Sequence, residues 1–338
     1  MRPPSPDNAA VTTATPNTAD PPLLSPQAEP TGLKALAKTV RDRTPLGAFV
    51  GRGAKLAQSL GMPVPQRVWS HLPYRGVTTA RAPGSDRRFR MRSHGHVIEN
   101  ELHWIGLAGR ERTSFDVWAK LAATDKLVLD IGANTGLFSL IAGAMQPSRP
   151  VVAFEPLDRI ARLARENAAL NPEFALEIQT LAIGGEDGAA AIYDPGGSQP
   201  SSASLVAGYL DMKVEAVEVP VRTLDSWLAA RHEAGQPHEV GLMKIDVEGH
   251  EAAVFDGMPR TLREQRPAIV VEAFDPASPV YDTFRSLVAD GWRVYDLAWA
   301  GPEDISDALR APSDRNLLLI PQERVAMLGI SEPAAASI

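Results

Sequence analysis

Three features of the sequence predict an α/β fold, doubly wound around a mostly parallel sheet. Short β-branched runs, "KLVLDIG" from Lys126 and "RPVVAFEP" from Arg149, reach an acidic residue near their ends. Between them "LFSLIAGAM" fits one helix, which makes the unit β-α-β and its strands parallel. The alternation then continues along the chain. "LDRIARLARENAAL" puts Leu157, Ile160, Ala161, Ala164 and Ala168 on one helical face and Asp158, Arg162 and Arg165 on the other. "LEIQTLAI", a Gly- and Ser-rich excursion from Gly184 to Gly208, "VEAVEVPVRTL", "VGLMKIDVEG", "RPAIVVEAF", "WRVYDL" and "NLLLIP" follow, strands separated by helices or hairpins. A fold of this kind takes its ligand at the carboxyl ends of the strands.

Composition bounds the rest. The 338 residues are 44% hydrophobic, enough for a large core, and contain no cysteine, which excludes disulfides, thiolate metal sites and a cysteine nucleophile. Residues 1–94 carry 14 Lys and Arg against 5 Asp and Glu, and the remainder 20 against 36. An acidic body repels a phosphate backbone, so no nucleic-acid partner is expected. No apolar run approaches the roughly 18–20 residues that span a bilayer, and no secretory hydrophobic region opens the chain, so the expected location is the cytoplasm.

Four segments are expected. Residues 1–31, rich in Pro, Ala and Thr, cannot offset their ordering entropy and read as a disordered tail. Residues 32–94 form a basic extension of unknown role. In it "LKALAKTVRDR" reads as a short helix, and Arg87, Arg88, Arg90 and Arg92 with His94 and His96 read as a solvated edge strand, with an anion-binding site as the less favoured alternative. Residues 95–322 form the α/β domain, and 323–338 a C-terminal tail.

The turn "DIGANTGLFSL" after the first parallel strand is where the backbone passes closest to a ligand, and Gly132 and Gly136 leave that path open. Glu155 ends the next strand, where a carboxylate accepts both hydroxyl protons of a ribose. A dinucleotide fingerprint needs glycine at 134 and 137, where the chain has Asn134 and Leu137, and the Gly-Lys-Ser/Thr of a phosphate loop is absent. A nucleoside without pyrophosphate remains, its tail an amino acid held by backbone amides and Asp130. S-adenosylmethionine fits that description.

"LVLDIGANTGLFSL", "AFEP", "VRTLDSWL", "LMKIDVEGHEAAVFDGM", "RPAIVVE", "GWRVYDL" and "NLLLIP", in this order from about Val97 to Pro321, resemble the FkbM-type family of S-adenosylmethionine-dependent methyltransferases. The resemblance implies a seven-stranded Rossmann-like methyltransferase sheet. It also implies that Asp130, Gly132, Ala133, Asn134 and Gly136 hold the methionine end, that Glu155 with Pro156 holds the ribose, and that Ala182 and Ile183 border the adenine. Asp225 reads as a first-turn charge or helix cap.

"KIDVEGHE" holds the expected chemistry. Strand alternation puts Lys244, Asp246 and Glu248 on one side if the chain stays extended past Asp246. Glu272 closes the neighbouring strand and completes an acidic wall, while His250 starts the following helix and is a further candidate base. Methyl transfer is an in-line displacement by a hydroxyl, so a base within hydrogen-bond reach suffices. A protein base without metal is the favoured reading, with Mg²⁺ on Asp246, Glu272 and a neighbour as the alternative. The resemblance implies O-methylation of a small-molecule or glycan hydroxyl, such as a sugar or secondary metabolite. A nicotinamide-dependent oxidoreductase and a non-catalytic adenosyl-binding scaffold are the competing classes. The oligomeric state is not legible.

Overall fold

The computed structural model describes residues 64, 65, 69, 72–109, 111–123, 126–194 and 215–329. The expected tail, the "LKALAKTVRDR" helix and the second half of the Gly- and Ser-rich excursion lie outside them.

The central parallel strands are β3 (Leu127–Ile131), β4 (Val151–Phe154), β9 (Val240–Ile245) and β10 (Ala268–Glu272), and every residue in them is buried. That is why they read as continuous apolar runs: a parallel strand is covered on both faces. Alternation sends Leu127, Leu129, Ile131, Met243 and Ile245 into one core, and Val128, Leu242, Val270 and Leu318 into another on the opposite face. β5 (Leu176–Gln179) extends the parallel set at one edge.

At the other edge β13 (Asn316–Pro321) runs antiparallel to β10, followed by β11 (Trp292–Ala298) and β12 (Gly301–Asp304). The spatial order is β12-β11-β13-β10-β9-β3-β4-β5. The sheet thus has eight strands among the described residues where seven were expected. The addition is β12, a short hairpin return that "LAWAGPED" makes after β11.

Two expected strands sit elsewhere. "LEIQTLAI" divides into β5 and the two-residue β6 (Ala182–Ile183), and β6 joins β7 (Gly188–Asp194) and β8 (Glu215–Arg222) in a separate three-stranded sheet, order β6-β8-β7. The alternating exposure of β8 suits a sheet with one wet face, unlike the fully buried central strands.

The helices follow from their faces. α3 (Leu137–Met145) is apolar almost all round and buried, whereas α4 (Asp158–Ala169) buries Ile160, Ala161, Ala164 and Asn167 and turns its charges outward. α5 (Leu224–Glu233) starts at Thr223, whose hydroxyl accepts from the Ser226 amide at 3.1 Å. Asp225 is a cap, though for a different helix. Its carboxylate accepts from Arg260 N at 2.7 Å, Thr261 N at 2.9 Å and Thr261 Oγ1 at 2.6 Å, closing the start of α7 (Pro259–Glu264), which follows α6 (Glu251–Asp256).

Segments on both sides of the expected 95–322 domain pack onto its core. β1 (Gly76–Arg81) and β2 (Arg88–Ser93) form an antiparallel hairpin whose Phe89 and Met91 lie in the core with Trp118, Leu121 and Leu140. The β2 backbone is tied to α4 and the turn after it, since the amides of Arg92 and Arg90 donate to Asn167 Oδ1 at 2.8 Å and Asn171 Oδ1 at 2.7 Å. Outward-facing Arg90 and Arg92 pair with Glu173 and Glu166. At the other end the expected tail begins with a 3₁₀ helix, Gln322–Leu328, that buries Val325 and Leu328. Between β2 and β3 lie α1 (Val97–Ile105) and α2 (Arg112–Leu121), and α8 (Val280–Ala289) precedes β11. No helix among the described residues is long and apolar enough to cross a membrane.

Candidate active site

The chain leaves β3 toward β4 on one side and returns through β9 on the other. The carboxyl ends of β3 and β9 therefore mark the crevice where an open α/β sheet binds ligands. One cavity occupies it.

Its wall contains Asp130, Gly132, Ala133, Asn134, Glu155, Pro156, Ala182, Ile183, Lys244, Asp246, Glu248 and Glu272. Gly136 and His250 are the two expected site residues that do not line it. Gly136 is the N-cap of α3, and its φ of 87° turns the chain into the helix. His250 is the N-cap of α6, with an imidazole pKa lowered by burial.

The glycine at 132 has a reason that local sequence did not reveal. Its φ is +80°, and a Cβ there would overlap the backbone carbonyl oxygen of Asp246 and come within 2.8 Å of its carbon. The absent side chain lets the β3 turn pack on the end of β9. Asp246 N donates to Ile131 O at 2.9 Å in the same place.

Asp130 serves the turn as well. Its Oδ2 accepts from the amide and hydroxyl of Ser139 at 3.0 and 2.6 Å, which ties β3 to the first turns of α3. Burial lifts its carboxyl to about 6. Glu155 accepts from Asn134 N through Oε2 and from Leu157 N through Oε1, each at 3.1 Å. Burial pushes it up to about 7. Its carboxylate thereby locks the left-handed Asn134 (φ 52°) against the end of β4.

The ends of β9 and β10 hold a charged cluster. β9 stops at Ile245 and Glu248 is left-handed (φ 52°), so the extended run assumed for Lys244, Asp246 and Glu248 does not persist, yet all three line the cavity. Lys244 is 1% exposed, and its Nζ reaches Asp246 Oδ2 at 3.2 Å. Burial works against its charge, but Asp246, Glu272 and Glu111 hold its pKa above the ordinary value. Burial raises Glu272 to about 10, reinforced by the neighbouring Asp246 carboxylate. Burial opposes ionisation of Asp246 too, yet Lys244 and the hydrogen bond with Glu272 hold its carboxyl below the ordinary range. Asp246 is thus the stronger acid of the two.

Sequence reasoning missed several wall residues. Arg315, in the loop before β13, pairs with Glu272 Oε1 at 3.2 Å and Glu111 Oε1 at 3.7 Å. Glu111 precedes α2, and Ile98, Phe115 and Phe138 add apolar wall. Nothing in the pattern around Glu111 or Arg315 marks them, because the fold brings together positions about 200 residues apart.

Residues 130–289 match the family model of the methyltransferase FkbM domain, so the resemblance carried by "DIGANTG" and "KIDVEGHE" holds. The methyltransferase sdnD of Sordaria araneosa is 26% identical over 180 residues, 46% of this chain and 68% of its own length. The 2-O-methyltransferase NoeI of Sinorhizobium fredii is 28% identical over 158 residues, 43% of this chain and 63% of its own. The crystal structure of methyltransferase FkbM from Methylobacillus flagellatus KT is 14% identical, with a TM-score of 0.39. That match covers 81% of this chain, and this chain spans only 60% of that one.

Proposed function

We propose that the FkbM-type methyltransferase domain of residues 130–289 moves a methyl group from S-adenosylmethionine to a hydroxyl of a small molecule or glycan. The observation that carries this reading is the meeting, in one cavity, of the Gly132–Asn134 turn, Glu155, the Ala182–Ile183 edge and the Lys244–Asp246–Glu272 cluster. The residues fit the cofactor. Buried Glu155 stands at the strand end where ribose hydroxyls would donate to it, and Ala182 and Ile183 with Leu181 give apolar contact for a flat base. When bound, the cofactor supplies an electrophilic methyl carbon on a sulfonium leaving group.

The chain then has to place a hydroxyl in line and take its proton. Asp246, ionised and one-third exposed, is the group assigned to that proton. Lys244 fixes its orientation, and Glu272 is hydrogen-bonded to it. As the hydroxyl oxygen takes up that methyl, its proton would pass to Asp246. Arg315 and Glu111, beside Glu272, face the remaining volume and are assigned to hold the acceptor. That NoeI is a 2-O-methyltransferase supports oxygen as the atom methylated.

A metal-assisted reading rests on one observation: Asp246, Glu248 and Glu272 each offer an oxygen within 4.8 Å of the others. Lys244 and Arg315 already bring two positive charges to these carboxylates, which favours the metal-free route. The experiment is to incubate purified protein with S-adenosylmethionine and fractionated cell extracts, with and without chelator, and to read gains of one methyl by mass spectrometry. Wild-type methylation that survives chelator and is lost in Asp246→Asn supports the reading. Loss in chelator with recovery on Mg²⁺ selects the metal route. Unchanged methylation in Asp246→Asn removes this residue from the chemistry.

A further inference from the structure

We propose that His232 and His238 form a two-histidine site for a divalent transition-metal ion of the Ni²⁺, Cu²⁺ or Zn²⁺ class, at the end of β9 opposite the cavity. His232 lies in the last turn of α5, and His238 stands two residues before β9 begins at Val240. Their rings cross at 69°, and His232 Nδ1 lies 2.9 Å from His238 Nε2.

Two independent features make this more than a pair of neighbouring histidines. The first is the tautomer. His238 Nδ1 lies 3.0 Å from the Gln236 carbonyl oxygen, which can only accept, so Nδ1 carries the proton and Nε2 presents a lone pair toward His232. A backbone carbonyl holding the far ring nitrogen is the arrangement that orients metal-ligating histidines. The second is the spacing. Imidazole nitrogens bind such ions at about 2.0–2.1 Å, so two ligands at a right angle stand about 2.9 Å apart and at the tetrahedral angle about 3.3 Å. The observed 2.9 Å is the cis-ligand distance. Without an ion, a proton on His232 Nδ1 satisfies the contact. With one, the exposed His232 ring tilts so that both lone pairs converge, and water completes the coordination.

The loop between them is built rather than loose. Gly235, at φ +66°, reverses the chain after α5, and Gln236 N donates to Arg231 O at 2.9 Å. Buried Arg231 donates from Nε to Pro237 O at 3.0 Å and from Nη1 to Glu177 Oε2 at 2.9 Å, with its guanidinium stacked over Trp227. An ion on the two rings would staple the end of α5 to the start of β9. Because β9 carries the cavity residues at its far end, the role is structural, and the site stands or falls independently of the methyl-transfer reading.

The test uses the full chain without a polyhistidine tag, stripped with chelator and titrated calorimetrically with Ni²⁺ and with Zn²⁺ alone, with melting followed in parallel. The expected result is one equivalent bound and Tm raised by several degrees in saturating metal. His232→Ala and His238→Ala should each weaken binding at least tenfold and abolish the shift, while each variant without metal melts within about 2 °C of wild type. The proposal is overturned if no saturable binding occurs, or if binding survives both substitutions. Binding lost instead in Asp246→Asn assigns the ion to the acidic cluster and also overturns it.

Discussion

Replacing Gly132 with alanine probes the joint on which the site is built. The perturbation adds one methyl group at a residue with φ +80°, where an L side chain costs about 1–2 kcal/mol in backbone strain. The new Cβ would overlap the Asp246 carbonyl oxygen and sit 2.8 Å from its carbon. Clearing the carbonyl oxygen, the nearer of the two atoms, needs well over ~1 Å of movement between two central strand ends. Neither side yields easily, since Asp246 N is bonded to Ile131 O and the Gly132 and Ala133 amides both donate to Phe154 O. Strain and displaced contacts together amount to roughly 3–5 kcal/mol, at the upper end for a single substitution. For a domain of this size that lowers Tm by about 6–20 °C. Gly136→Ala is the control: φ is similar at +87°, but the nearest atom to the added Cβ is Ala164 Cβ at 3.8 Å, so only the strain remains, about 2–8 °C. Calorimetric melting of both variants is the assay. Equal shifts, or a larger one for Gly136→Ala, would refute the claim that Gly132 exists to let β3 meet β9.

Further outcomes follow from the same geometry. The folded protein holds the Glu155 proton more tightly than the unfolded chain, its carboxyl standing at about 7 against an ordinary 4.5. Its contribution to stability is therefore present at low pH and falls as pH rises from about 4.5 through 7. Ribose hydroxyls prefer the ionised form, so the thermal stabilisation by S-adenosylmethionine should grow between pH 6 and pH 8, and a flat or reversed trend counts against Glu155 as the ribose partner. Asp246→Asn should lower turnover on the order of 10²-fold or more while cofactor affinity in calorimetry stays within a few-fold; loss of both together would make Asp246 a cofactor-positioning residue. Asp225→Ala removes the acceptor of three hydrogen bonds at the start of α7 and should cost about 1–2 kcal/mol in denaturant melts without changing cofactor affinity, and a change in affinity would contradict its place as a cap.

What the sequence made legible was local. β3, β4, β9 and β10 declare themselves because strands covered on both faces must be apolar throughout, and the turn at Gly132 stands out because glycine breaks such a run. "VEAVEVPVR" carried the opposite signal, an alternation that marks one wet face, and it belongs to the small second sheet. The acid cluster was half legible. Lys244, Asp246 and Glu248 are neighbours in the chain, whereas Glu111 and Arg315 reach them only through the packing of α2 and β13, which no spacing encodes. His250 shows the converse, since closeness in sequence to Asp246 does not turn a side chain into the cavity once the chain has entered α6. The arginines of β2 read as a solvated edge strand, which it is, but they hid its buried face: they turn outward to Glu166 and Glu173 while Phe89 and Met91 between them fill the core.

Calorimetric titration of S-adenosylmethionine into the wild-type protein and into Glu155→Gln, with a nicotinamide dinucleotide as the competing ligand, tests the central claim most directly. The expected result is one equivalent of S-adenosylmethionine bound by the wild type, at least tenfold weaker binding by the variant, and no heat from the dinucleotide. A wild type that binds the dinucleotide instead, or a Glu155→Gln variant that binds S-adenosylmethionine as the wild type does, would contradict it.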